Sequence, residues 1–331
     1  MRNAAYDHGM FSVYRPPVPV IAVGNMTAGG TGKTPLVSWL MAYTRGKGMR
    51  PVVLSRGYGR RTKGVRIVSD GTRLLTDATE GGDEPVQLAR SFPDVPVVVG
   101  ESRREAALEA LRRFAPGVFL LDDAFQHRAI ARDLNILVVD GSRDLAAEGM
   151  LPAGRRREPL RGIGRASVVV FTHTDPLTGE AAGAATVRTM FRGDILTCTR
   201  TIGSFVDSTG AASVASQWQG VRCVLVSGIG KPDRFERDIR ALGLDVAEHV
   251  MVPDHHRYDQ GDVTTIADAV VRNGAQRIVT TEKDMVRLMA VPGAIAALDA
   301  KAPVMAALLD VQVHPAGVLE SHCDRAIGRG A

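Results

Sequence analysis

The sequence predicts an α/β protein: a mainly parallel sheet with helices on both faces, followed by a smaller C-terminal α/β lobe. Three observations carry this. Short apolar, β-branched runs alternate with longer helical ones along most of the chain, as in a doubly wound sheet. Hydrophobic residues make up 45% and aromatics only 5%, with Ala, Gly and Val prominent, which suits strands buried on both faces. The length of 331 residues exceeds what one hydrophobic core usually organises, so two domains are expected, 1–196 and 197–331.

The elements follow in order. Residues 18–23 form an apolar strand, and Leu36, Leu40 and Met41 then recur at helical spacing in a helix that ends near Gly48. Strands are expected at 51–55, 96–99, 118–121, 135–139 and 167–171, with a helix ending near Phe114. Asp70 and Gly71, between "VRIVS" and "TRLLT", read as a hairpin turn inserted into the sheet. An Ala-rich piece at 181–185 reads as ordinary helix, and a weaker segment at 193–210 separates the halves. The second half repeats the habit, with strands at 223–226, 277–280 and 304–309 and helices at about 233–242 and 261–271.

The first strand leads into "GNMTAGGTGKTP". The phosphate-binding loop rule, G-x-x-x-x-G-K-[ST] between a strand and a helix, is met at its end by Gly32, Lys33 and Thr34, while Thr27 stands at the first glycine position. The strand and helix on either side favour a P-loop over a plain Gly-rich turn. Thr27, Ala28, Gly29, Gly30, Thr31, Gly32, Lys33 and Thr34 would wrap phosphate oxygens with backbone N–H groups, helped by the positive end of the helix. Lys33 would neutralise β and γ phosphate oxygens, and Thr34 would offer its hydroxyl to Mg²⁺.

Other polar groups sit where strands end. "GVFLLDD" closes on Asp122 and Asp123, at the carboxyl edge where such folds organise Mg²⁺, although adjacent acids also serve as caps or turn formers. Gln126 and His127 follow as groups that could orient phosphate or substrate. "GGDEP" brings Asp83 and Glu84 just ahead of a helix, a pattern that, taken alone, an N-cap with a favourable first-turn acid explains better than a catalytic role. "SRGYGR" joins cations to flexible backbone, "PDHHRYD" gathers His255 and His256 between acids, and "TTEKD" ends a strand with five polar residues at an expected cleft edge.

Composition narrows the class. Net charge is +5, with clusters at Arg60, Arg61 and Lys63 and at Arg155, Arg156, Arg157 and Arg161. Such clusters attract anions, and in the absence of a nucleic-acid module they favour lipid or phosphate, so no nucleic acid is expected. Cys198, Cys223 and Cys323 lie far apart, without metal-ligand spacing, as in a reducing compartment. No stretch approaches the roughly 18 to 20 apolar residues of a membrane span, and no signal peptide is recognised, so a cytoplasmic protein is expected. A GTPase switch is disfavoured because the nearest counterpart of the guanine motif N-K-x-D, Thr172 to Asp175, lacks both Asn and Lys.

Taken in order, "VPVIAVGNMTAGGTGKTP", "SRGYGR", "GDEP", "LLDDAFQHR", "LPAGRRREPL", "PDHHRYD" and "TTEKD" resemble the tetraacyldisaccharide 4'-kinase family, the lipid A 4'-kinases of Gram-negative bacteria. The family also lacks the first loop glycine, so Thr27 agrees with it. The resemblance implies that Lys33 contacts ATP, that Thr34, Glu84 and one of Asp122 or Asp123 hold Mg²⁺, and that Asp83 is the catalytic base. It pairs Asp83 with a histidine of the second lobe, His255 or its neighbour His256. Arg103, in "GESRREAA", resembles the family arginine near the transferred phosphate. The implied acceptor is a lipid A disaccharide 1-phosphate. The implied place is the anionic cytoplasmic face of the inner membrane, held peripherally. Two features depart from the family: the segment before the first strand, "MRNAAYDHGMFSVYRPP", is shorter and less apolar, and "LPAGRRREPL" is more basic.

Overall fold

The computed structural model describes residues 2–174 and 180–328. The first half runs α1 (Arg2–Asp7), β1 (Val20–Asn25), α2 (Lys33–Gly46), β2 (Pro51–Ser55), β3 (Arg66–Asp70), α3 (Ala78–Gly81), α4 (Asp83–Ser91), β4 (Pro96–Val99), α5 (Arg103–Phe114), β5 (Val118–Leu121), β6 (Leu134–Asp140), β7 (Val168–Thr172) and α6 (Ala184–Met190). The second half continues with β8 (Ile195–Val206), β9 (Ala212–Val214), β10 (Arg222–Ser227), α7 (Pro232–Ala241), β11 (Asp245–Met251), α8 (Gln260–Asn273), β12 (Arg277–Thr281), α9 (Glu282–Met289), α10 (Ala294–Asp299), β13 (Val304–His314) and α11 (Val318–Gly328).

Among the described residues the strands join one sheet in the order β11-β10-β12-β13-β8-β7-β6-β1-β5-β2-β4-β3, with β9 beside β8. Pairing is parallel except at β13 with β8, β3 with β4, and β8 with β9. Every residue of β1, β2, β5, β6 and β7 is buried, because helices cover both faces. On one face Leu36, Val37, Leu40 and Met41 of α2 pack with Leu319, Cys323 and Ala326 of α11. On the other, Ala106, Ala107 and Ala110 of α5 pack against Val52, Leu54, Phe119 and Leu121. The second half has cores of its own, around Ile266 and Leu298 on one face and around Phe205 and Trp218 on the other. A domain boundary near residue 196 is proposed on that ground, with α11 crossing back to cover the first half.

Three sequence expectations shift. The segment 193–210, expected to be weak, carries the 12-residue strand β8, which pairs antiparallel with β13 and runs the sheet through the middle of the molecule. Its burial hides in the sequence because Thr, Arg and Gly alternate with the inward Leu196, Cys198, Ile202 and Phe205. The Ala-rich piece at 181–185 is mostly the turn before α6, with Gly183 left-handed at φ 77°. At Asp70 and Gly71 the chain does turn, with Gly71 at φ 84°, but the return arm makes only a single bridge, Ser69 to Leu74. The strand β3 instead forms an antiparallel sheet edge on β4.

The sheet also positions the loop. Gly24, inside β1, sits so close to the turn after β5 that a Cβ there would lie 2.4 Å from the Phe125 nitrogen. Only glycine lets the strand that feeds the loop and the strand that ends in Asp122 and Asp123 approach in this way.

Candidate active site

The loop between β1 and α2 is held from within and from both sides. Asn25 Nδ2 donates to the Thr27 carbonyl at 2.7 Å and to Thr31 Oγ1 at 2.9 Å, and Thr172 Oγ1 donates to the Thr31 carbonyl at 2.7 Å. Gly32 enters α2 with left-handed φ 79° and no side-chain cap, so the first amide groups of the helix face outward, as an anion site requires. Thr27 needs no glycine because it bridges Arg156 in extended backbone pairing. A Cβ on Gly30 would meet nothing within 4 Å, so this part of the loop stands open.

Three carboxylates gather beside the loop. Lys33 Nζ lies 3.5 Å from Asp123 Oδ1, and Arg157 Nη1 donates to both Asp123 oxygens at 3.0 and 2.9 Å. Burial opposes the Asp123 charge, yet Lys33 and Arg157 outweigh it and hold the carboxyl below its ordinary value. Asp122 is fully buried; Ser55 Oγ donates to its Oδ2 at 3.0 Å, while Oδ1 has no partner. Burial, with Glu84 and Asp123 nearby, pushes Asp122 up to about 6. Glu84, on the first turn of α4, receives a short charge-assisted hydrogen bond from Lys283 of α9. Burial opposes its charge as well, and Lys283 and Lys33 hold it ionised.

These groups suit Mg²⁺. An orphaned buried carboxylate oxygen and a raised carboxyl are what a nearby divalent cation would satisfy. Thr34 is buried on the first turn of α2. Among the described residues no group of three or more His, Cys, Asp or Glu forms a ready metal cage, which agrees with a Mg²⁺ site built from one or two carboxylates, waters and phosphate oxygens.

Asp83, one residue before Glu84, faces the second half. Arg287 Nε donates to Asp83 Oδ2 at 2.7 Å, and His255 Nδ1 stands 3.6 Å from the same oxygen. His256 instead pairs with Asp262 at 2.8 Å, in the capping box of α8, so of the two histidines it is His255 that lies beside Asp83. Burial works against the Asp83 charge, and His255 and Arg287 together hold the carboxyl below its ordinary value. Tyr58 of "SRGYGR" lies edge-on to His255 at 6.0 Å.

Two groups of arginines sit deeper than the sequence suggests. Arg103 is buried at the start of α5, with Nη1 donating to the Gly100 carbonyl at 2.8 Å and Nη2 to the Asp122 carbonyl at 2.9 Å. Burial draws its pKa down to about 10. The side chain thus braces the Asp122 backbone, while its Nε has no partner among the described residues. The basic run turns inward as well: Arg155 donates to the Ala28 carbonyl through Nε at 3.0 Å and Nη2 at 2.7 Å, and Arg157 is the Asp123 partner. Sequence reasoning gave these arginines to lipid or phosphate and did not single out Lys283, Arg287 or Glu158. Glu158 is buried and accepts from Gln126 at 2.8 Å and Arg165 at 2.5 Å. The only sequence trace of the α9 pair was "TTEKD" itself, with Arg287 one helical turn beyond Asp284. Of the former guanine-motif candidate, Asp175 lies outside the described residues.

A P-loop on the first strand, a Mg²⁺-type acid cluster at the neighbouring strand end and a second half reaching over it define an ATP-dependent phosphotransferase. A model of the family described as tetraacyldisaccharide-1-P 4'-kinase matches residues 1–327. The chain is 40% identical over 302 residues to the tetraacyldisaccharide 4'-kinase of Chlorobium luteolum, covering 88% of this chain and 84% of that one. It is 38% identical over 330 residues to that of Geobacter sulfurreducens, covering 99% and 89%. A crystal structure of LpxK from Aquifex aeolicus in complex with ATP superposes with a TM-score of 0.77 at 30% identity, covering 98% of this chain and 94% of that one. The chain belongs to the tetraacyldisaccharide-1-P 4'-kinase family.

Proposed function

We infer that the protein transfers the γ-phosphoryl group of ATP to the 4'-hydroxyl of a tetraacyldisaccharide 1-phosphate in lipid A biosynthesis. The observation that carries the acceptor side is the meeting of Asp83 from the first half with His255 and Arg287 from the second, next to the acid cluster of the loop. Lys33 and the loop amides hold the ATP phosphates, and Thr34, Glu84, Asp122 and Asp123 provide the Mg²⁺ environment. Bound Mg²⁺ neutralises charge on the β and γ oxygens. Asp83 takes the proton of the 4'-hydroxyl as its oxygen attacks phosphorus, and ADP leaves with the electron pair of the broken P–O bond.

The test uses the purified protein with γ-labelled ATP, Mg²⁺ and detergent-solubilised tetraacyldisaccharide 1-phosphate. Label should enter the lipid, and a 4'-deoxy analogue should take none. ATP hydrolysis without lipid labelling would overturn the assignment of the acceptor.

An acylated acceptor resides in a bilayer, while no helix among the described residues is long and apolar enough to cross one. Peripheral docking on the anionic cytoplasmic face of the inner membrane, through the segment after α1, fits both. Met10, Phe11 and Val13 are exposed there, at 75%, 48% and 50%. Tyr14 packs against the core beneath α5, Arg155 is held by the loop and Arg157 by Asp123, so these three contribute less to docking than their sequence positions imply. Short apolar insertion supported by basic groups binds membranes reversibly. In vesicle co-sedimentation, the Met10→Ser, Phe11→Ser double variant should bind vesicles containing anionic lipid several-fold less than the parent, and parental binding should fall as salt rises. Equal binding of both proteins to neutral vesicles would place the docking surface elsewhere.

A further inference from the structure

Arg287 is almost completely buried and reaches four groups. Besides Asp83 Oδ2, Nη1 donates to the Gly228 carbonyl at 2.8 Å and to Asp284 Oδ1 at 3.1 Å, and Nη2 lies 3.3 Å from His255 Nδ1. Asp284 is fixed in turn by Thr281 Oγ1 at 2.6 Å and Tyr258 OH at 3.2 Å. One guanidinium thus ties the end of β10, the helix α9 and the 253–258 loop to the first turn of α4 across the two halves.

His255 stands at the same junction, with Nδ1 3.3 Å from Arg287 Nη2 and 3.6 Å from Asp83 Oδ2, and Nε2 4.0 Å from the Asp254 carboxylate. The imidazole and the guanidinium thus face one carboxylate oxygen of Asp83 from two directions.

We propose that Arg287 is a positioning residue for phosphoryl transfer: it grips Asp83 by Oδ2, leaves Oδ1 to the acceptor hydroxyl proton, and fixes His255 beside the same carboxylate. This rests on Asp83 being the base. In the step itself the acceptor oxygen forms its bond to phosphorus, the bond to ADP breaks, and the hydroxyl proton passes to Asp83 Oδ1. Arg287 acts through the carboxylate and the imidazole. Lysine at this position keeps a charge opposite Asp284 but cannot span four groups as the planar fork of a guanidinium does.

The experiment is a double-mutant cycle on the full chain, with kcat and the KM for ATP measured separately for Arg287→Lys, Arg287→Met, Asp83→Asn and the two combinations. Arg287→Lys should lower kcat about 10-fold or more with the KM for ATP within about twofold of the parent, the pattern of lost transition-state positioning. In the Asp83→Asn background the same substitution should cost almost nothing further, because both act on one carboxylate. A histidine ¹⁵N–¹H spectrum should show the ring nitrogens of His255, identified by loss in His255→Gln, shifted in Arg287→Lys relative to the parent. If Arg287→Met does not fold, the lysine variant decides. A large Asp83→Asn loss combined with a fully multiplicative Arg287 effect overturns the proposal for Arg287 alone, as does a raised KM for ATP at unchanged kcat. Near-parental kcat in Asp83→Asn overturns the base assignment and this proposal together.

Discussion

Replacing Lys33 by Ala should reduce kcat/KM by at least about 10²-fold at saturating Mg²⁺, the scale of losing one preorganised charge at a transferring phosphoryl group. Lys33 opens α2 inside the loop, its side chain is nearly buried, and its ammonium stands 3.5 Å from Asp123. Arg155 donates to a loop carbonyl and Arg157 to Asp123, so neither is placed to replace a flexible cation at the mouth of the helix. Asp122, Asp123 and Glu84 would also lose a shared counter-charge, since Lys33 eases ionisation at all three. The substitution should therefore lower the Tm of the nucleotide-free protein as well as activity, and Lys33→Arg should rescue neither fully because the site is filled by Asp123 and the loop. Steady-state kinetics with ATP varied at fixed lipid acceptor give the answer. Near-parental turnover in Lys33→Ala would mean that the loop does not hold the transferred phosphate.

Legibility from the sequence followed the range of the interaction. The loop, the Asp122 and Asp123 pair and the parallel strands around them were readable because each rests on neighbours in the chain: a β-branched run, three glycines, a lysine and a threonine in fixed spacing. The contacts that complete the site are distant. Glu84 to Lys283 and Asp83 to Arg287 join residues 199 and 204 positions apart, and only the β-sheet order, carried through the antiparallel β8 and β13 pair, brings them together. That pair was itself hidden, since Thr197, Thr199 and Arg200 dilute the apolar signal of β8. Charge alone was a poor guide at the run from Arg155 to Arg157, which read as cations for lipid or phosphate: the Ala28 carbonyl holds Arg155 and Asp123 holds Arg157, and no local pattern distinguishes a buried arginine brace from a solvated one.

Asp83→Asn should lower kcat by about 10²-fold or more, the range for a lost general base, while ATP affinity stays within about twofold. The reason is direction. The Asp83 carboxylate turns toward Arg287 and His255 of the second half, whereas its neighbour Glu84 turns toward Lys283 and the loop. The amide keeps an oxygen for Arg287 Nε, and Arg287 retains the Gly228 carbonyl and Asp284, so the interface between α4 and α9 should persist and the Tm should change little. Asp83→Ala removes that acceptor too and should add a stability loss without a much larger loss of kcat, because a proton acceptor is absent in either case. The two variants separate chemistry from packing when kcat, ATP binding by equilibrium titration and thermal unfolding are measured on the same preparations. Should Asp83→Asn instead abolish ATP binding at unchanged Tm, the carboxylate belongs to the metal environment alongside Glu84; should it lower Tm sharply at unchanged kcat, Asp83 serves as a charged first-turn residue of α4, and the proton of the acceptor hydroxyl leaves by another group.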